Sequence, residues 1–140
     1  MEHLEPNKKD RSKFDIDLAY GKFHENEIAN MFENSKFEIK SERDIWVNSG
    51  NIAIEYESYG KPSGIAATES DYWLHKLCVG DKTFARLIFD VDTLRQIVDR
   101  LDKRDIRGGD HNASRMYLLS LEKLFRKDVF KLYKEEIANG

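Results

Sequence analysis

The 140-residue chain has one cysteine and two prolines, and no uninterrupted apolar stretch of membrane length. A single thiol, Cys78, excludes an internal disulfide and points to a reducing compartment. A membrane-crossing helix needs about 18 or more consecutive apolar residues, and no segment approaches that. The first residues, MEHLEPNKKDRSK, lack the apolar centre of a secretory signal. A cytoplasmic protein is the expectation, in a host cell if the chain is phage-encoded. The net charge of −3 argues against a polycation that coats nucleic acid non-specifically. It leaves room for an acidic metal site beside local basic patches. Zinc is disfavoured, because His3, His24, His75 and His111 form no ligand pair and Cys78 has no partner. No Gly-rich phosphate loop opens a helix, and no serine stands in a nucleophile elbow.

What the chain does contain is a globular composition, 40% hydrophobic and 11% aromatic. A single domain of this length can bury a core without disulfides or metals. Residues 1–14 read as a flexible N-terminal segment and 15–140 as one domain. Residues 17–34 have a helical pattern, with Leu18, Ile28, Met31 and Phe32 on a stripe bordered by Glu25. Residues 37–58, FEIKSERDIWVNSGNIAIEYES, alternate apolar and polar residues, as two strands joined at Asn48-Ser49-Gly50-Asn51 would. Residues 60–64 read as a loop. Tyr72–Val79 and Lys82–Phe89 read as strands around a Gly80-Asp81 turn. Val91–Leu101 reads as an amphipathic helix, and 104–114 as an irregular loop. Met116–Leu119 reads as a strand, and Leu121–Ile137 as a final helix with Leu124, Phe125, Phe130, Leu132 and Tyr133 buried. The sum is α/β or α+β, with one central mixed sheet flanked by helices.

The polar positions of the expected hairpin are nearly all ionised. Glu38, Lys40, Glu42 and Asp44 share one side of the first strand, and Glu55 and Glu57 one side of the second. Pairing Lys40 with Glu55 and Glu38 with Glu57 would keep Phe37, Ile39, Ile52, Ile54 and Tyr56 on the opposite face. The bland reading is a solvated surface, where one exposed ion pair contributes about 0.2–1 kcal/mol. The sharper one is a Mg²⁺ or Mn²⁺ site. Carboxylates supply hard oxygen ligands, and a lysine two residues along a strand shares their face. Such a group can orient water and neutralise charge on a phosphate.

These residues resemble the PD-(D/E)xK nuclease superfamily, in particular small phage-type endonucleases, over roughly residues 15 to 120. The resemblance rests on a helix carrying Glu25, then Glu38-Ile39-Lys40, Asp44, and Asn51 to Glu57. It continues through Lys61-Pro62-Ser63-Gly64-Ile65 and Ser70-Asp71-Tyr72-Trp73. It implies a restriction-endonuclease-like core and Mg²⁺- or Mn²⁺-dependent cleavage of DNA. Since a single site cuts one strand, concerted cutting of both strands suggests a homodimer on geometric grounds. Glu38, Asp44 and Glu55 would bind metal, with Lys40 catalytic and Glu25 assisting from the helix. Lys61, Ser63 and Arg107 would meet DNA. Two assignments stay open. Either Glu38-Ile39-Lys40 is the acid-x-lysine element and Glu55 supplies the missing acid, or Asp44 is the first acid and Glu55-Tyr56-Glu57 the second element. Glu42 replaces Asp44 if the first strand stays regular. A noncatalytic nucleic-acid or protein interaction module on the same fold is the rival.

Overall fold

The structure is a computed structural model describing residues 8–131, with side chains described from residue 13 onward. Two compact units divide the chain between Ser35 and Lys36. The first is a single helix, α1 (Lys8–Asn34). It begins well before the expected Asp17 and includes the last residues of the segment read as flexible; residues 1–7 lie outside the described residues. Its apolar residues do not form a buried stripe, since Leu18, Ile28 and Phe32 are exposed and Met31 is buried.

The second unit is mixed α+β, and its strands form two sheets, not one. Its elements are β1 (Phe37–Glu42), α2 (Ile45–Ser49), β2 (Asn51–Ser58), β3 (Lys61–Pro62), β4 (Tyr72–Val79), β5 (Lys82–Asp90), α3 (Val91–Arg100), β6 (Arg104–Gly108), β7 (Ser114–Ser120) and α4 (Leu121–Leu124). The three-stranded sheet runs β1-β4-β5, with β1 parallel to β4 and β4 antiparallel to β5. The four-stranded sheet runs β3-β2-β7-β6 and is antiparallel throughout.

The expected β1–β2 hairpin and its register are therefore corrected. Ile45-Trp46-Val47 do not continue the strand but wind into α2. Trp46 packs against Phe84 with tilted rings, at 5.5 Å between ring centroids, and its indole N–H donates to the Cys78 carbonyl at 2.8 Å. Gly50, in the left-handed region at φ 69°, ends the helix and donates its N–H to the Trp46 carbonyl. The chain thus leaves the first sheet after Glu42 and enters the second at Asn51. The partner of β1 is β4, fixed at its start by Asp71. The Lys36 N–H donates to Asp71 Oδ2 at 2.9 Å, and the Asp71 N–H returns to the Lys36 carbonyl.

Other boundaries follow expectation or depart from it for local reasons. The β4–β5 hairpin and α3 stand where the alternation and the helical stripe put them. Lys61-Pro62 pairs with β2 as a two-residue edge strand, a place where proline is tolerated. The segment expected as a loop at 104–114 begins with β6, a charged edge strand whose only apolar side chain is Ile106. The last helix is interrupted. α4 ends at Leu124, helical residues resume at 127, and Leu132 and Tyr133 lie outside the described residues. Leu124 is buried, whereas Phe125 and Phe130 are exposed.

One core serves both sheets. Ile52 and Ile54 of β2 and Leu119 of β7 meet Trp73 and Leu77 of β4, with Val91, Leu94 and Val98 of α3 completing the cluster. Each such side chain contributes about 1.5–3 kcal/mol on burial, so the core outweighs any surface ion pair.

The orientation of β1 opposes the simple rule. Glu38, Lys40 and Glu42 register with Trp73, His75 and Leu77, the buried row of β4, while Ile39 is 60% exposed. Replacing the outward Ile39 by Thr, which keeps a β-branched side chain, is expected to change unfolding free energy by less than about 0.5 kcal/mol. Leu94→Ala, in the core, is expected to cost about 2–5 kcal/mol. Urea denaturation of the two variants checks the orientation; an Ile39→Thr loss as large as that of Leu94→Ala would refute it.

Candidate functional site

The inward face of β1 carries the acid-x-lysine pair. Glu38 and Lys40 lie two residues apart on a regular strand, and Lys40 Nζ stands 3.4 Å from Glu38 Oε1. Both side chains are about one-third exposed, at 32% for Glu38 and 40% for Lys40. The pair is thus half-shielded yet reachable from solvent.

Glu42, next on the same face, is tied more tightly. Its Oε1 accepts the Ala53 N–H at 2.6 Å and a hydrogen bond from His75 Nε2 at 3.0 Å. The His75 tautomer follows from its other nitrogen. The Trp73 indole can only donate, and it donates to His75 Nδ1 at 3.1 Å, so Nε2 carries the proton. Trp73, His75, Glu42 and the β2 backbone form one chain of hydrogen bonds. It begins at fully buried Trp73, passes through His75 at 1% exposure, and joins the first sheet to the second.

Asp44 is elsewhere. It lies past the end of β1, at the start of α2, and its Oδ1 accepts the Gly80 N–H at the β4–β5 turn at 2.7 Å. Because β1 stays regular through Glu42, the inward position falls to Glu42. Glu55, on β2, is half-buried, and its Oε2 accepts the Ser63 hydroxyl at 3.0 Å. Among the described residues, no three His, Cys, Asp or Glu side chains are grouped closely enough to hold a metal ion. The set Glu38, Asp44 and Glu55 is therefore not assembled as a ready cage.

Glu25 lies on α1 in the first unit, with its side chain exposed. His24 beside it contacts the rings of Tyr20 and Phe23 on the same helix. Lys61 is exposed on edge strand β3, and Arg107 is exposed on edge strand β6, beside Arg115 in register. Glu57 pairs with Pro62 on one side and Arg115 on the other. A cleft of about 470 Å³ is lined by Thr68, Asp71, Asp90, Asp92 and Arg95 among others, and includes none of the expected site residues.

A polar aromatic cluster adjoins Glu55 in the chain. The β2–β7 register slips between Glu55 and Glu57, leaving Tyr56 as the extra residue of a bulge. Tyr56 stacks on Tyr117 at 4.1 Å, with the rings 12° from parallel. Its hydroxyl donates to Asp105 Oδ2 at 2.6 Å, and Arg115 Nη2 donates to the same oxygen at 3.2 Å. Lys103 Nζ stands 5.0 Å from the Tyr117 ring centre. Sequence reading missed this cluster, whose members come from three strands and the segment before β6, with no shared spacing. It also missed the Glu42–His75 link, which depends on the parallel β1–β4 register.

The Tyr56 phenol is pushed up to about 12, first by burial and then by its hydrogen bond to Asp105, with Arg115 opposing. Since the folded value lies above the ordinary 10.0, the neutral phenol's contribution to stability is complete below pH 10.0 and is lost as pH rises through about 12. Tyrosinate absorbance, read as the difference between the native protein and Tyr56→Phe, is expected to show this late transition. Asp105→Asn is expected to lower it; an unchanged transition in that variant would contradict the assigned cause.

No family description, curated protein or solved structure matches the chain.

Proposed function

We propose that the chain is a metal-dependent nuclease that hydrolyses DNA phosphodiester bonds on a restriction-endonuclease-like fold. The observation that carries the reading is the inverted strand β1. Glu38, Lys40 and Glu42 occupy its half-buried side while Ile39 is left 60% exposed. Turning charge inward costs free energy and leaving isoleucine outside forgoes some, a cost that the Glu42 hydrogen bonds to Ala53 and His75 offset in part. A strand that turns an acid-x-lysine pair inward makes chemical sense where those groups act on a charged substrate.

In this reading Glu38 and Glu55 are the first metal donors. Glu42 takes the place expected of Asp44, since both of its hydrogen bonds fall on Oε1. The donor chemistry fits Mg²⁺ or Mn²⁺. Such an ion is held by one or two carboxylates and keeps several waters, so it does not require the preassembled group of three that is absent among the described residues. When bound, the ion would supply charge neutralisation at the phosphate and a more acidic water. Lys40 holds a positive charge beside Glu38, suited to orienting water or to meeting charge that develops on phosphate oxygens. Arg104 and Arg107, exposed on β6, and Lys61 on β3 suit phosphate contacts that position DNA without reading its sequence. Concerted cutting of both strands by one site per chain calls for a homodimer.

A noncatalytic nucleic-acid or protein interaction module is the second reading. It is favoured by the hydrogen bonds that make Glu42 a link between sheets.

The test is a cleavage panel of duplex, branched, nicked and single-stranded DNA with Mg²⁺ and Mn²⁺. Metal-dependent cleavage is expected on at least one form. Lys40→Ala is expected to lower the rate by about 10²–10³, and Glu55→Ala to abolish cleavage. Folded protein that neither binds metal nor cuts any form would leave the interaction module as the reading.

A further inference from the structure

We propose that Ser63 is a positioning residue for Glu55, and that the segment 63–68 is built to hold that carboxylate in place. The inference rests on the nuclease reading above and gives Ser63 a different task from the DNA contact expected of it. Glu55 pairs with Met116 and stands next to the bulge residue Tyr56, where the strand bends. The loop adds a constraint on its side chain. The Ser63 hydroxyl donates to Glu55 Oε2 at 3.0 Å, and its backbone N–H donates to the neighbouring Tyr56 carbonyl at 3.0 Å. With its proton directed at Glu55, the hydroxyl has no second proton to offer a phosphate.

The next residue explains the closeness. A Cβ at Gly64 would stand 2.1 Å from the Glu55 carbonyl oxygen, and Gly64 has φ +50°. Both the contact and the conformation call for glycine. Ile65 then enters the core at 4% exposure, anchoring the loop from beneath. Arg95 on α3 closes it from the other side, donating from Nε to the Ile65 carbonyl at 3.0 Å and from Nη2 to the Thr68 carbonyl at 2.7 Å. Ser63, Gly64, Ile65 and Arg95 thus form a bracket from α3 to Glu55. One carboxylate oxygen is held by the hydroxyl, and among the described residues Oε1 accepts no hydrogen bond. Partners that orient a ligating carboxylate typically matter by about 10–100-fold in metal affinity or activity.

The experiment compares the full chain with Ser63→Ala and Ser63→Thr. Mn²⁺ affinity is read by electron paramagnetic resonance of the free ion, and kcat and KM are read on the DNA form that the native protein cuts. Ser63→Ala is expected to weaken Mn²⁺ binding and lower kcat by about 10-fold or more, with KM for DNA unchanged. Ser63→Thr, which keeps the hydroxyl, is expected to retain native affinity and kcat. Should Ser63→Ala fail to fold by circular dichroism, Ser63→Cys, of similar size but a weak donor, is held to the same criteria. Native Mn²⁺ affinity in the hydroxyl-free variant, a defect confined to KM, or a Thr variant as impaired as Ala would each overturn the positioning role while leaving the nuclease reading intact. A native protein that binds no Mn²⁺ and cuts no DNA would overturn both.

Discussion

One carboxylate spans the gap between the two sheets. Glu42 leaves the end of β1 and accepts hydrogen bonds from His75 in its own sheet and from the Ala53 backbone in the other. Without it, a β2 backbone N–H and a histidine nitrogen buried to 1% exposure would lack their partner. Such orphaned groups cost about 1–3 kcal/mol each, more than an exposed ion pair returns. The inward turn of β1 is coupled to this link. If Glu42 faces the core side, the period of two along the strand carries Lys40 and Glu38 inward and Ile39 outward. One structural contact thus selects the face on which the candidate chemistry lies.

The second acid is held by different means. Glu55 depends on a bulge, a serine hydroxyl, a glycine that allows close approach, and an arginine that fastens the loop. Two carboxylates on different sheets are therefore each constrained by a neighbour outside their own strand. Such support is what a preorganised site requires. It is also what keeps the rival reading alive, since a link that orders a carboxylate also stabilises the fold.

Legibility in the sequence followed the range of the interactions. The β4–β5 hairpin and α3 are local structures, and their alternation and stripe placed them nearly to the residue. Trp73, inside the strand expected at Tyr72–Val79, is fully buried. The residues 37–58 misled because Ile45-Trp46-Val47 is a short apolar run, which strand and helix satisfy equally, and the Trp46 bond to the Cys78 carbonyl goes with the helix. The parallel β1–β4 pairing joins residues more than thirty positions apart, and no local pattern encodes it. β6 escaped because an edge strand of charged residues resembles a loop in composition. For the candidate site, Glu38 and Lys40 do share a face as their spacing required. The exchange of Asp44 for Glu42 turned on where the first strand ends, the kind of boundary that sequence fixes least well.

Glu42 ties His75 of its own sheet to the Ala53 backbone of the other, and a double-mutant cycle measures the side-chain half of that link most directly. Unfolding free energies of the native chain, Glu42→Ala, His75→Phe and the double variant give the coupling between the two side chains. A coupling of about 0.5–3 kcal/mol is expected, with the double variant less destabilised than the sum of the two single losses. Additivity within about 0.3–0.5 kcal/mol would contradict it.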